Sequence, residues 1–342
     1  MVTLCHQLLL PNVALAQLTG NDPATDGSTL ISERGTTGAG GSSDSRQSRI
    51  KEVETGGSQR GEALYSIPVA TALGAGGVQP SIALAYASSA RKASWVGYGW
   101  SVAVGEISRS LVDGVPTYDD EVDAFEWDGR PLVRSVDPAQ PNRYHTRIES
   151  FARVEKTGTS WEVRSKDGSV ARYGIGANSR VASPLHAGQP TFRWLLAERE
   201  DRHGNITSFL YDESDPGERY IKEIRYVLRR SGGVLRSMSG ASAPDESVDR
   251  VVRFALELRP DRKLSYASGF ASELNKRLSS VEVRSGNQLI RKVVLEYAQS
   301  LDSQTSLLTR VREYGSDAEA AVPTPPRVHR FTYRSNVTGP AA

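Results

Sequence analysis

The stretch from Gly61 to Val102 constrains the fold most strongly, because it alternates large and small residues between glycine-rich turns. Ile82, Leu84 and Tyr86 are each separated by one small residue, which is the period-two pattern of a β-strand with one buried face. Glycines in the turns adopt backbone conformations that other residues avoid. The stretch therefore predicts three strands joined by two turns, with Tyr86 and Trp100 anchoring the first part of the core.

Several unusual residues in and just after this stretch follow one another in an order that resembles a known family. They are Ser66-Ile67-Pro68-Val69, Gly77, Gln79-Pro80-Ser81-Ile82-Ala83-Leu84-Ala85-Tyr86, Gly97-Tyr98-Gly99-Trp100-Ser101-Val102, Ile107-Ser108-Arg109 and Tyr118-Asp119-Asp120. The order is similar to the opening of the Salmonella virulence plasmid B protein family, which also forms the N-terminal part of the B components of Tc insecticidal toxins. The resemblance runs from about Gly56 to Arg334. It implies structural roles for the motif residues Pro68, Gly77, Gln79, Pro80, Tyr86, Gly97, Gly99, Trp100, Asp119 and Asp120.

Glycine-centred turns separate alternating segments from residue 127 onward, which predicts a series of antiparallel hairpins. At the turn Lys166–Gly168, a three-residue loop pairs Trp161 with Tyr173 and Val163 with Ala171. This register is favoured over a two-residue loop because it places the apolar residues on one face. The other predicted pairs are Phe125 with Leu132 across the turn Asp128-Gly129, and Leu195 with Tyr211 and Ala197 with Phe209 across the turn at residues 201–205.

The turn at residues 201–205 reads Asp-Arg-His-Gly-Asn. Asp201 is placed to accept hydrogen bonds from backbone N–H groups of the turn, and Gly204 is expected in the left-handed conformation. The order of Asp201, Gly204, Asn205 and Tyr211 resembles a Tyr-Asp (YD, or Rhs) repeat. In that family, repeated hairpins build a long curved sheet that coils into a shell.

Alternation in the later segments predicts further strands. Leu258 is expected on the apolar face of its strand and Arg259 on the opposite, charged face. Phe270, Leu274 and Leu278 have helical spacing, but the family resemblance favours an extended conformation there. The complete pattern predicts an all-β protein, built as an antiparallel β-hairpin meander that forms an extended, curved and partly open sheet.

The domain organisation follows from composition. Residues 17–59 are rich in small polar residues and poor in large apolar ones, which predicts a flexible leader. Residues 60–335 form the predicted β-rich domain, and residues 336–342 form a tail. Residues 1–16 resemble the end of a signal peptide with a cleavage site at Ala14-x-Ala16, although Lys and Arg are absent from the first seven positions. The single cysteine, Cys5, excludes an internal disulfide framework.

Charge and motif content argue against several functional classes. The net charge is +2, so the whole chain has no electrostatic preference for nucleic acid or for a membrane surface. The five histidines, His6, His145, His186, His203 and His329, are too far apart in sequence for a helical metal pair. The chain contains no P-loop and no Gly-x-Ser-x-Gly elbow. We therefore predict no catalytic residues, no cofactor and no metal ligands.

Two acidic patterns have an alternative interpretation. The run Asp119–Asp128 offers oxygen ligands for calcium, but a solvated strand edge and turn is the favoured interpretation. Glu198-Arg199-Glu200 matches the Glu-x-Glu pair of ADP-ribosyltransferases. In the family that the chain resembles, however, the transferase is a separate C-terminal domain. We therefore expect Glu198 and Glu200 to be solvent-facing residues of an ordinary strand.

The resemblance implies a non-catalytic structural module of a secreted virulence or toxin-complex protein, which contributes to a shell or scaffold that carries or docks a toxin component. The expected partners are toxin-complex or Rhs/YD-repeat protein subunits, with no nucleic acid and no membrane insertion by this chain. One alternative is the carrier part of a secreted ADP-ribosyltransferase whose catalytic domain lies elsewhere, and another is a cell-surface Rhs-type binding protein. The expected location is extracellular, or the cytoplasm before export.

Overall fold

The computed structural model describes residues 47–48, 62–74, 77–183, 185, 188, 190–237 and 249–334. The signal-peptide-like segment and the tail lie outside these residues, as does most of the predicted leader. Within the leader range, Gln47–Ser48 is a strand that pairs in parallel with Val328 and His329. The domain boundaries drawn from the sequence stay predictions.

The described part of the chain is built almost entirely of β-strands, which confirms the predicted fold class. The strands are β1 (Gln47–Ser48), β2 (Leu64–Pro68), β3 (Ala83–Ala87), β4 (Ala93–Ser94), β5 (Gly97–Tyr98), β6 (Trp100–Ser101), β7 (Glu106–Arg109), β8 (Phe125–Trp127), β9 (Arg130–Arg134), β10 (Arg143–Thr146), β11 (Arg153–Thr157), β12 (Ser160–Arg164), β13 (Val170–Tyr173), β14 (Arg180–Ala182), β15 (Thr191–Glu200), β16 (Ile206–Asp212), β17 (Tyr220–Ser231), β18 (Val234–Ser237), β19 (Arg250–Ser265), β20 (Ser272–Ser285), β21 (Gln288–Gln299), β22 (Ser306–Tyr314) and β23 (Arg327–Arg330). A 3-10 helix spans Ala177–Ser179. Within the described ranges, no helix has the length and apolar character needed to cross a bilayer.

Eight strands close into a ring in which every neighbouring pair is antiparallel. The ring runs through β7, β8, β9, β10, β11, β12, β13 and β15 and returns to β7. This closure is not among the features predicted from the sequence. Hairpin patterns specify the pairing of consecutive strands, whereas closure depends on β7 meeting β15, which lies far along the chain.

Four aromatic side chains from non-adjacent strands of the ring meet in its interior. The ring centroids of Phe125 and Trp161 lie 5.0 Å apart, as do those of Tyr144 and Trp161. Trp194 lies 5.8 Å from Trp161 with its ring almost perpendicular. All four side chains are buried, and edge-to-face contacts are a favourable arrangement for such rings. The ring of strands therefore encloses a packed core, as expected for a barrel of this strand number.

The second half of the chain continues as an antiparallel meander. It starts at β15 and proceeds through β16, β17, β19, β20, β21, β22 and β23, while β18 forms a short hairpin with β17. This part matches the predicted open meander. Because β15 belongs to both the ring and the meander, the two parts share one backbone element.

The predicted N-terminal strands form a three-stranded sheet in the order β2-β3-β6, and this sheet packs on the meander. Trp100 is buried, its ring lies 4.7 Å from that of Phe331, and its indole N–H donates to the Tyr333 hydroxyl at 2.9 Å. Tyr86 is half-buried against Trp100. The Leu278 N–H also donates to a carbonyl of this region, that of Trp95, at 2.7 Å. The N-terminal segment therefore covers one face of the later strands.

Most of the predicted hairpin registers are confirmed. The structure pairs Phe125 with Leu132, Trp161 with Tyr173 and Val163 with Ala171. Gly168 adopts the expected left-handed conformation, with φ +84°. The offset predicted between β15 and β16 is also correct, but their ladder runs only from Glu198–Ser208 to Glu200–Ile206. The predicted pair Leu195–Tyr211 is wrong because Leu195 pairs with Glu106 of β7 instead, and the predicted pair Ala197–Phe209 lies beyond the end of the ladder between β15 and β16.

The prediction for Leu258 and Arg259 is wrong. Leu258 is 65% exposed, whereas Arg259 is buried. The register between β19 and β20 shifts between Leu258 and Lys263, which breaks the period-two alternation. The buried guanidinium pairs with Asp261, with Nη2 2.8 Å from Oδ2.

Two motif glycines provide a test of the N-terminal packing. Gly99 and Gly77 have nearly the same φ, +77° and +79°, but a Cβ on Gly99 would lie 2.7 Å from the Tyr86 ring, whereas one on Gly77 would meet nothing within 4 Å. We expect Gly99→Ala to lower the free energy of unfolding by about 2–4 kcal/mol and the matched control Gly77→Ala by about 1 kcal/mol. Urea denaturation measures both. Equal losses of unfolding free energy in the two variants would show that contact with the Tyr86 ring does not restrict the residue at position 99 to glycine.

Candidate functional site

The motif residues Asp119 and Asp120 lie in the connection between β7 and β8, at one end of the ring. Asp120 and Asp123 bind the guanidinium of Arg109, with Nη2 2.6 Å from Asp120 Oδ1 and Nη1 2.7 Å from Asp123 Oδ2. The Nε–H of Arg109 donates to the Thr191 carbonyl oxygen at 2.9 Å. Arg109 is buried, so this fork of charge-assisted bonds satisfies a cation that is removed from water.

Asp123 organises the backbone of this connection. Its carboxylate accepts from the Thr117 N–H at 2.8 Å and from the Tyr118 N–H at 2.9 Å. Burial would raise the pKa of Asp123, but the hydrogen bonds from Thr117 and Arg109 outweigh it and hold the pKa below its usual range. Tyr118 has φ +65°, a conformation that is uncommon for a residue with a side chain. The carboxylate therefore stabilises a strained turn at the end of the ring.

Lys156 projects from β11 into the ring. Its ammonium lies 5.5 Å from the centroid of Phe125, 5.7 Å from that of Trp194 and 5.9 Å from that of Trp161, and it also contacts the Asp120 carboxylate. Burial, followed by repulsion from Arg109, lowers the pKa of Lys156 to about 8. Attraction between a cation and aromatic faces offsets part of the loss of hydration.

The acidic run therefore has a structural use. The oxygens of Asp120 and Asp123 are already engaged by Arg109 and Lys156, which leaves little negative charge to attract calcium. Asp119 accepts the Glu121 N–H at 2.9 Å within the turn. Across the residues that the structure describes, no group of three or more His, Cys, Asp or Glu side chains is placed to hold a metal ion.

The expectation that Glu198 is solvent-facing is wrong. Glu198 is buried, and its carboxylate contacts Arg230 and lies 3.7 Å from Nη1 of Arg172. The register places Arg172 directly opposite Glu198, and the same guanidinium lies 2.9 Å from the Glu200 carboxylate. Both carboxylates of the Glu-x-Glu pair are thus held in ion pairs that join β13, β15 and β17.

The turn at residues 201–205 has the predicted geometry. The Asp201 carboxylate accepts the backbone N–H groups of His203 and Asn205, both at 2.8 Å, and the side-chain amide of Asn205 at 2.7 Å. Gly204 has φ +79°. Burial would raise the pKa of Asp201, but the bonds from Asn205 hold it below its usual range. The hydroxyl of Tyr211 donates to the Leu196 carbonyl at 2.6 Å and ties β16 to β15. The relation to YD repeats stays a prediction.

The remaining motif residues shape the N-terminal sheet. The Gln79 amide donates to the Thr71 carbonyl at 2.6 Å, and the Thr71 hydroxyl donates to the Pro80 carbonyl at 3.1 Å. Pro68 ends β2 opposite Ala83. Gly97 has φ +121° in β5. The motif residues therefore belong to different parts of the fold, namely this sheet, the end of the ring and the 201–205 turn, and do not converge on one pocket.

Sequence reasoning missed two other buried ionic groups. Asp261, which pairs with Arg259, accepts the Ser306 N–H at 2.8 Å, while Arg259 Nη1 donates to the Ser94 carbonyl at 3.1 Å. Burial would raise the pKa of Asp261, but bonds from Arg259 and Ser306 lower it to about 2. His329 lies between the Glu313 carboxylate at 2.7 Å and the Tyr65 hydroxyl at 3.0 Å. Both groups connect the meander to the N-terminal sheet or to its loops. No local sequence pattern predicts either of them.

Removal of the Arg109 charge tests the cluster at the end of the ring. Arg109→Met leaves the buried Asp123 carboxylate without its cation, so we expect a loss of about 3 kcal/mol in the free energy of unfolding. The matched control Arg134→Met removes an ion pair with Glu121, whose side chain is 70% exposed, and should lower stability much less because water screens the pair. Chemical denaturation compares the two variants. A loss in Arg109→Met no larger than in the control would contradict the structural role.

Asp128 gives a pH-dependent prediction. Its Oδ1 accepts the Glu106 N–H at 2.8 Å, and burial raises its pKa from 3.8 to about 6. The folded protein therefore binds more protons than the unfolded chain between these pH values, so this group's contribution to stability falls as pH rises through that window. Asp128→Asn keeps the acceptor and tolerates the positive φ of 48°.

We expect Asp128→Asn to gain stability relative to the wild type, by little at pH 4 and by about 2 kcal/mol at pH 7. Urea denaturation at four pH values between 4 and 7.5 measures the difference. A difference that is constant over this range would contradict the buried carboxylate.

Comparison with known proteins agrees with the resemblance read from the sequence. The family model described as Salmonella virulence plasmid 65kDa B protein matches residues 57–232. No curated protein matches the chain. Among solved structures, the N-terminal domain of effector protein SpvB from Salmonella typhimurium strain LT2 has a TM-score of 0.61 and 20% identity, over 73% of this chain and 98% of that one.

Two larger structures are also similar. A crystal structure of TcdB2-TccC3-Cdc42 has a TM-score of 0.64 and 24% identity, over 78% of this chain and 16% of that chain. The Photorhabdus luminescens Tc holotoxin pore has the same TM-score and identity, over 78% of this chain and 15% of that chain. This chain thus spans a small part of these two relatives, and the likeness to all three shows a shared fold. Because the family model matches more than half of the sequence, the chain belongs to the Salmonella virulence plasmid 65kDa B protein family.

Proposed function

We propose that this chain is a non-catalytic structural module of a secreted virulence or toxin-complex protein, where it contributes to a shell or scaffold around a toxin component. The observation that carries the proposal is the way in which the chain uses its buried charges. Arg109, Lys156, Glu198 and Arg259 each contact an oppositely charged side chain on a strand or in the connection between β7 and β8. These contacts hold the charged groups in fixed structural pairs, which suits a rigid wall.

The architecture supports the same proposal. A ring whose interior is filled by aromatic side chains shares β15 with a meander of long strands. A rigid, closed core with an attached sheet presents surfaces and edges to other chains, and sheet edges are normally covered by a neighbour. We propose toxin-complex or Rhs/YD-repeat subunits as that neighbour, in an extracellular assembly.

A second candidate is the carrier part of a secreted ADP-ribosyltransferase. It is favoured by the similarity that extends over 98% of the N-terminal domain of SpvB, an effector protein. In this case another domain or chain performs the catalysis, and the module described above positions it. The two candidates differ in the partner that the module holds, namely a shell subunit or a catalytic domain.

Co-purification tests the scaffold proposal. The chain is expressed with and without the product of the adjacent gene, and the eluted species are sized by light scattering after gel filtration. We expect one stoichiometric complex that persists at about 1 μM, the concentration range of a specific assembly. Separate elution of both chains at every concentration would overturn the proposal for that partner.

An activity measurement in the same samples separates scaffold from enzyme. We expect no NAD hydrolysis by the purified chain, and none by the Glu198→Gln/Glu200→Gln double variant. Hydrolysis that disappears in the double variant would overturn the non-catalytic assignment, because a structural ion pair has no reason to support turnover.

A further inference from the structure

A surface cavity of about 540 Å³ lies on the outside of the ring, over β10 and β11. The side chains that line it and carry the argument are Ser135, Arg143, His145, Glu149, Phe151 and Arg153. Arg143 and His145 point outward from β10, because the alternate residues Tyr144 and Thr146 are buried. The cavity therefore lies on the exterior of the ring, on the side of these strands opposite to the aromatic core.

The cavity has a cationic floor. The register that pairs Tyr144 with Val154 brings His145 opposite Arg153, and Arg153 pairs with Arg164 on the next strand. Glu155, which accepts hydrogen bonds from Nε and Nη2 of Arg153, lies directly opposite Arg143 on the same face but does not line the cavity. The Arg153 side chain lines the cavity and is 50% exposed, so an incoming anion can reach its guanidinium; Arg164 does not line the cavity.

An exposed aromatic ring stands at the same cavity. Phe151 is 75% exposed, although an aromatic ring of this size is normally buried. Its backbone has φ +55°, a strained conformation for a residue with a Cβ, and its N–H donates to the Glu149 carboxylate at 2.5 Å. Strain of this kind is concentrated at functional sites, where the surrounding structure maintains it. The hydrogen bond from the Phe151 N–H to Glu149 therefore holds a flat apolar surface next to the arginines.

We propose that this cavity binds an acidic saccharide, that is, a sugar ring that carries a carboxylate or a sulfate group. Arg143, Arg153 and His145 supply donors for the anionic group. The face of Phe151 supplies an apolar platform for the C–H face of the sugar ring, and Ser135 and Glu149 supply polar partners for its hydroxyl groups. The carboxylate of Glu149 in the lining disfavours ligands with several negative charges, such as nucleoside polyphosphates.

This site is independent of the scaffold proposal, since it concerns the outer surface of the ring and not the contacts between strands. Loss of the scaffold partner would leave the saccharide site intact, and loss of saccharide binding would leave the co-purification result unchanged. The two proposals therefore fail or succeed separately.

Calorimetric titration of the purified full chain tests the site. The probes are glucuronic acid and glucose 6-sulfate as acidic sugars, and glucose, inorganic sulfate and ATP as comparisons. We expect saturable binding of at least one acidic sugar in the millimolar range or tighter, and at least tenfold weaker binding of glucose and of inorganic sulfate. This pattern of affinities requires both the anionic group and the sugar ring of the ligand.

Two variants and two controls connect binding to the cavity. Arg153→Gln and Phe151→Gly should each weaken acidic-sugar binding by about tenfold. Phe151→Gly removes the ring while glycine accepts the positive φ, so its unfolding midpoint should equal or exceed that of the wild type. The controls Lys166→Gln and Tyr266→Ala change an exposed cation and an exposed aromatic ring outside the cavity and should bind as the wild type does.

Three outcomes would overturn the proposal. They are the absence of acidic-sugar binding up to about 20 mM, binding of glucose, inorganic sulfate or ATP as tight as that of the acidic sugars, and acidic-sugar binding that Phe151→Gly does not change. The second would indicate a neutral-sugar site, an unspecific anion patch or a nucleotide site, and the third would show that the aromatic platform has no role.

Discussion

The fold depends on the hydrogen bonding of one strand, β15. Its first half pairs with β7 on one edge and β14 on the other, and its second half pairs with β16 and β13. A strand that is bonded along both edges has few free N–H and C=O groups, so it closes the ring and starts the meander without an exposed edge of its own. The register shift between Arg172 and Tyr173, opposite β15, marks where the ladder adjusts to serve both structures.

Closure of the ring determines the chemistry of its interior. A closed sheet of eight strands leaves room only for side chains, and the four aromatic rings occupy that room. Arg109 and Lys156 then enter a region from which water is largely excluded, and each requires a carboxylate and aromatic faces as compensation. The lowered pKa of Lys156, about 8, is the cost of that position. The turn at residues 117–123 is therefore shaped by the need to deliver Asp120 and Asp123 to these cations.

The features that the sequence predicts correctly are those set by residues close together in the chain. The left-handed glycine at 168, the Asp201 turn and the pairing of Trp161 with Tyr173 depend on residues a few positions apart, and all three are confirmed. Closure of the ring and the burial of Glu198 depend on strands that are distant in sequence. The burial of Arg259 in place of Leu258 depends on a bulge. Period-two alternation gives no warning of a bulge, since one extra residue reverses every later side chain. Arg109 offered one usable signal, because it lies two positions after the buried Ile107 on the same strand face.

Charge patterning on the outer face explains why the long strands of the meander keep their register. Glu223, Arg253, Glu282 and Lys292 lie directly opposite one another on four successive strands, so their charges alternate in sign across the sheet. A slip of one residue would turn these charges toward the N-terminal sheet and expose Val252 and Val283, so both faces favour the same alignment. On the ring, by contrast, Arg153 faces Arg164, and each neutralises its charge along its own strand. Like charges directly opposite one another do not favour a register, so Arg153 and Arg164 contribute nothing to the alignment of β11 and β12. That alignment depends instead on the buried pair of Val154 and Val163.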